Sequence, residues 1–147
     1  MKVLVLSVLL LFNMAGKSQN ISLKELTNFL TIAPEQKDKI LSSKGFVKIE
    51  EDIKGPYQTS KIVYRNNNSN ERVTIRYDAT SMMGSYMFYN PQHFVSLKNS
   101  IVKSYILKDV EETSEALIEV YESKGYKLRL FKYKGIRAYD IQLTLKT

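Results

Sequence analysis

Three observations predict an α+β fold, a mostly antiparallel sheet with its helices on one face. Runs of alternating apolar and polar residues recur along most of the chain. Two prolines stand where helices begin, and ten tyrosines with many Val and Ile favour strands over a helical bundle. At 147 residues, 44% hydrophobic and 25% charged, the chain has ordinary globular proportions and the length of one domain.

The first stretch, MKVLVLSVLLLFNMAGKSQN, reads as an export signal over residues 1–18 followed by a single α+β domain over 19–147. Lys2 is a short basic region and Val3 to Phe12 an apolar run. Gly16-Lys17-Ser18 then offers small residues for cleavage near Ser18–Gln19. A spanning helix needs about 20 apolar residues, so the expectation is an exported protein, periplasmic or secreted, with no transmembrane span after cleavage; a retained anchor is the alternative. Loss of Lys2 and Lys17 would leave 20 basic against 15 acidic residues, net +5. That balance suits an acidic protein or an anionic envelope component as partner. It falls short of the concentrated charge that nucleic-acid binding uses. With no cysteine, disulfides, thiol nucleophiles and thiolate metal sites are excluded.

The domain opens on SLKELTNFL, where Ser22 and Glu25 have capping-box spacing and Leu23, Leu26 and Leu30 share a face. Pro34 starts a second helix, PEQKDKILSS, with Ile40 and Leu41 inward; Gly45 of the first Ser-Lys-Gly follows its C-cap, and Phe46 folds back on Leu41. FVKIEEDI is a strand that places Val47, Ile49 and Ile53 on one side, ended by GPY at 55–57. SKIVYRNNNSNERVTIRYDA is a hairpin, Ile62 and Tyr64 alternating on one arm and Val73, Ile75 and Tyr77 on the other, around an Asn-rich turn. SMMGSYMFY is a fourth strand with Gly84 read as a bulge.

Asn90 and Pro91 repeat the helix-start signal, and Phe94, Leu97, Ile101 and Val102 form the next apolar stripe. YILKDVEET is a strand. Two readings stand for EALIEVYESKGYKLRLFKYK. As a helix it aligns Val110, Ser114, Leu117 and Tyr121; as a hairpin it alternates Ile118 and Val120 with Glu119 and Tyr121 and turns at Ser123-Lys124-Gly125. The hairpin is preferred because β-branched and aromatic residues gather on both sides of the glycine. RAYDIQLTL then alternates with Tyr139, Ile141, Leu143 and Leu145 inward. On this reading the two Ser-Lys-Gly stretches differ in role, one closing a helix and one turning a hairpin, both through a glycine at positive φ.

From Pro34 and again from Pro91, about 57 residues each spell a helix and four strands, a tandem pattern over about 34–90 and 91–147. In element order residues 22–147 resemble the tandem helix-and-four-strand proteins of the β-lactamase inhibitor protein type. The unit used twice gives a sheet of up to eight strands with helices over one face and the other face open; the resemblance carries no motif and no residue roles.

His93, the single histidine, follows a helix cap and reads as a solvated or capping residue. IEEDIKG and KDVEET bunch acids beside lysines, a solvated strand edge rather than a catalytic pair. No nucleophile elbow, phosphate loop, calcium loop or His/Cys metal spacing occurs. Neither catalytic residues nor a metal nor a cofactor are therefore expected. The local charge bias lies at Lys124, Lys127, Arg129, Lys132, Lys134 and Arg137, interleaved with Tyr126, Phe131, Tyr133 and Tyr139. Its plain account is a solvated face guarding against strand aggregation; its functional account is a docking surface carried by Lys127, Arg129, Lys132, Tyr133 and Arg137. The expected role is a non-enzymatic binding module working through the open sheet face, an immunity or inhibitor protein being one special case. A small envelope hydrolase and a structural envelope component are the rivals.

Overall fold

Ser22 caps the first helix by a full capping box: its hydroxyl accepts from the Glu25 N–H and the Glu25 carboxylate accepts from the Ser22 N–H. The computed structural model describes residues 20–55 and 58–146, so the export-signal reading of 1–18 and part of the GPY break lie outside it. This helix, α1 (Leu23–Phe29), is followed by α2 (Pro34–Ser43), with proline in its first turn as expected. Gly45 closes α2 at φ 83° and returns Phe46 to the core beside Leu41. Four strands follow, β1 (Phe46–Asp52), β2 (Ser60–Asn66), β3 (Arg72–Tyr77) and β4 (Met82–Phe88). Then come α3 (Pro91–Ser104), β5 (Ile106–Glu112), β6 (Ala116–Glu122), β7 (Tyr126–Tyr133) and β8 (Tyr139–Leu145). The region with two readings is therefore the β6–β7 hairpin.

All eight strands form one antiparallel sheet in the order β1-β2-β3-β4-β8-β7-β6-β5. Each half of the chain runs outward-to-centre, and the halves join where β4 pairs with β8. The inward residues follow the alternation of each strand. Ile62, Ile75, Gly84, Leu143, Leu128 and Tyr121 lie in one cross-strand row, and Tyr64, Val73, Tyr86, Ile141 and Leu130 in the next. Leu26, Phe29 and Leu30 of α1, Leu41 of α2, and Leu97 and Ile101 of α3 join these side chains in a single core, so the helices share one face of the sheet.

Four local expectations change. Gly84 is in regular pairing, not a bulge; a Cβ there would lie 3.1 Å from a Leu30 methyl, so the glycine lets α1 approach the sheet. The irregularities sit instead on the two edge strands, where β1 shifts register between Lys48 and Glu50 and β5 between Leu107 and Asp109. β1 does not bury the residues expected of it: Val47 stands opposite Arg65 on the outward parity, Ile49 falls in the shift and Ile53 lies beyond the strand, all three exposed, and Phe46 supplies the buried anchor. Gly125 turns the β6–β7 hairpin without a positive φ, whereas Gly135, in the β7–β8 connection, takes φ 75°. On α3 the buried stripe is His93, Leu97 and Ile101, and Val102 faces solvent.

The bunched acids occupy the sheet's edges as expected. Glu50 pairs with Lys61, Glu51 with Lys48 and Asp52 with Lys54 at β1; Glu111 pairs with Arg129 and Glu112 with Lys134 at β5.

Candidate functional site

Because side chains alternate across a strand, burying one row under the helices turns the intervening residues to the opposite face. Among the described residues no helix packs there. Register places the side chains of this open face as a grid. One row runs Lys61, Arg76, Met83, Thr144, Lys127, Glu122; the middle row runs Val63, Thr74, Ser85, Gln142, Arg129, Val120. The third runs Arg65, Arg72, Met87, Asp140, Phe131, Ile118.

The β2–β3 hairpin sets two pairs of like charges directly opposite one another, Lys61 with Arg76 and Arg65 with Arg72. Directly opposed like charges destabilise a sheet, by roughly 0.2–1 kcal/mol per pair on the scale of cross-strand interactions. Lys61 is relieved by Glu50 at 2.8 Å, and Arg65 bonds the Asn70 side chain. Arg72 and Arg76 make no ion pair or side-chain hydrogen bond among the described residues.

At the centre of the face, on β4 and β8, lies a polar cluster. Asp140 accepts hydrogen bonds from the Ser85 hydroxyl at 3.0 Å and the Gln142 side-chain amide at 2.9 Å, and is only 4% exposed. Burial raises its pKa above the ordinary carboxylate value, against those two bonds and the charge of Arg76, which pull it down. A folded-state pKa above the unfolded one means that the protonated carboxyl favours folding and the ionised one opposes it once pH rises past about 3.8, the ordinary value. Asp140→Asn is accordingly expected to raise the melting temperature at neutral pH, with the gain disappearing as pH falls below that value. Calorimetry of both proteins across that range checks it, and an equal or lower melting temperature at neutral pH contradicts it.

Beside the cluster is a depression of about 270 Å³ lined by Met83, Lys127, Arg129, Gln142 and Thr144. Toward β6 the face becomes apolar: Ala116, Ile118 and Val120 are buried there beneath Phe131 and Tyr133, whose rings stack at 6.1 Å. The face thus offers a basic hairpin, a polar centre and an aromatic pad.

Of the five residues expected to dock a partner, Lys127, Arg129 and Tyr133 share this face. Lys132 does not: it has the parity of Leu128 and Leu130, stands opposite Tyr139 and Leu117, and projects on the helix-bearing side. Arg137 lies in the exposed β7–β8 connection. Reasoning from local charge along one hairpin missed the other, since Lys61, Arg65, Arg72 and Arg76 come from strands where no run of basic residues shows. It also missed Asp140, a lone acid between Tyr139 and Ile141.

His93 is corrected from a solvated residue to a buried one. It is 8% exposed, lies edge-on to Phe88 and Tyr86, and its Nε2–H donates to the Ile21 carbonyl at 3.1 Å. Burial holds its pKa below the ordinary histidine value. Its backbone N–H does meet the Asn90 cap. The recess beside it is lined by Asn20, Ser22, Asn90, Gln92 and Ser96, without an acid. Among the described residues there is no group of three or more His, Cys, Asp or Glu spaced to hold a metal ion, and no helix long and apolar enough to cross a membrane.

No family model, curated protein or solved structure matches the chain. The functional reading rests on the geometry of the open face.

Proposed function

We propose that the protein is an exported, non-enzymatic binding module that engages an acidic protein surface through its open sheet face. The observation that carries this reading is the pair of like-charged cross-strand contacts, Lys61–Arg76 and Arg65–Arg72. Glu50 at Lys61 and the charge of Asp140 near Arg76 relieve the repulsion only in part, and a face kept only for solubility gains nothing from the rest. An acidic partner turns the same four cations into attraction, steering encounter and setting orientation. Phe131, Tyr133 and the two methionines supply the apolar contact that a protein partner needs and a soluble anion does not. An immunity or inhibitor role against an acidic effector is a special case of the same binding.

Site-specific photo-crosslinking tests the proposal. A photoreactive residue at Thr74 or Thr144, on the open face, is compared in producing cells with one at Lys39 or Val102, on the helix layer. The expected result is a discrete protein adduct from the open-face positions only, lost when Arg72 and Arg76 are both changed to Glu. Adducts from the helix layer alone, or an open-face adduct indifferent to that charge reversal, would overturn it.

A further inference from the structure

We infer that the depression on β4, β8 and β7 is an anchor socket for one carboxylate side chain of the acidic partner. The inference rests on the binding reading above and adds to it a particular place and a particular chemistry.

The lining is selective in kind. Lys127 and Arg129 lie two residues apart on one strand and so point to the same side. Thr144 stands opposite Lys127, and Gln142 opposite Arg129. Met83, opposite Thr144, closes the other flank with an apolar wall. The donors are held ready. The Gln142 amide is turned by its bond to Asp140. One terminal nitrogen of Arg129 is tethered to Glu111 at 3.3 Å, while its Nε is buried with no acceptor among the described residues. A buried donor without an acceptor costs stability. A planar anion that takes two parallel hydrogen bonds from the guanidinium is carboxylate chemistry, and a small shift of the Arg129 side chain that uncovers its Nε–H would satisfy that donor at the same time. Lys127 makes no ion pair among the described residues and supplies a point charge at the rim.

Size and surroundings favour a side chain over a whole small molecule. About 270 Å³ is below the range of roughly 300–1,000 Å³ usual for small-molecule pockets, and the socket opens directly onto the face where the partner would lie.

The test is an NMR titration of the full, nitrogen-labelled chain, in which the arginine Nε–H and glutamine side-chain amide signals are read directly. The probes are hexaglutamate, hexaglutamine and inorganic phosphate, all at matched ionic strength. Hexaglutamate is expected to shift the Arg129 Nε–H and Gln142 amide signals along a saturating curve. Hexaglutamine should leave them still, and Arg129→Lys, which keeps the charge and loses the fork, should weaken binding about tenfold. If hexaglutamate moves only the Nε–H signals of Arg65, Arg72 and Arg76, the binding face stands and the socket falls. If it moves no signal on the face, both fall. Phosphate saturating the same socket signals at the same concentration overturns the carboxylate assignment in favour of a free inorganic anion. Should Arg129→Lys disturb the fold, Thr144→Val is read in its place; unchanged affinity in that folded variant counts against the socket.

Discussion

Phe88→Ala is expected to destabilise the protein by about 3–5 kcal/mol, the cost of emptying a large aromatic site in a packed core. Phe88 is fully buried at the end of β4, where its ring stacks on Tyr86 at 4.9 Å and on Tyr139 at 5.5 Å and meets His93 edge-on at 5.0 Å. Phe94 continues the chain of rings against Tyr139 at 4.4 Å. Removing Phe88 therefore takes the centre out of a contact series joining β4, β8 and α3, which includes the junction of the two halves. Against a total stability of roughly 5–15 kcal/mol for a domain of ordinary size, the loss is a large fraction of what keeps the protein folded. Urea denaturation with matched slopes measures it; a loss below about 1 kcal/mol would show that the junction does not depend on this ring.

The second large effect separates binding from stability. Arg72→Glu with Arg76→Glu converts both like-charged pairs into opposite-charged ones, Arg65 facing Glu and Lys61 facing Glu. Each new pair should stabilise the hairpin by roughly 0.2–1 kcal/mol, so the melting temperature is expected to rise. Binding to the acidic partner is expected to weaken by about tenfold or more, mainly through slower association that depends on salt. A rise in stability with a fall in binding is the signature of residues retained for a partner at the fold's expense. If stability falls, or if association with the captured partner is unchanged, these arginines have another reason to be there. Melting and association-rate measurements on one preparation decide between the outcomes.

Much of the architecture was legible because local chemistry and tertiary packing agree. The capping box at Ser22, the prolines at 34 and 91, the left-handed Gly45 and the Asn-rich turn each ask for a local backbone that the fold then uses. The β6–β7 hairpin followed from β-branched residues before Gly125 and aromatic ones after it, although that glycine's freedom at positive φ was not what the turn needed. Reading failed where a neighbour distant in sequence decides. Gly84 answers to Leu30, fifty-odd positions earlier, and His93 to the carbonyl of Ile21. The edge residues Val47 and Ile49 look inward by period alone, but Phe46 takes the buried parity, which sets Val47 opposite Arg65 on the open face, and Ile49 falls in the register shift.

The binding face was half legible. Lys132 was separable from Lys127 and Arg129 by strand parity alone. The like-charged pairs needed one further step: with Ile62 facing Ile75 and Tyr64 facing Val73, the residues left to meet on the outer side are Lys61 with Arg76 and Arg65 with Arg72. Charge counted along the chain hides this, because the partners belong to different strands. Asp140 could not be found that way at all, since its cross-strand neighbours Met87 and Phe131, and the Ser85 hydroxyl that bonds it, belong to other strands.

The placement of β8 has a kinetic consequence. It follows the other seven strands in the chain yet lies in the middle of the sheet, bonded to β4 on one side and β7 on the other. Until its residues are available, β1–β4 and β5–β7 are two separate meanders, each with a raw inner edge and unshielded apolar rows. Closing them is a late, long-range event, and topologies of that kind mature slowly. A polypeptide whose completion waits for that final insertion stays pliant for longer.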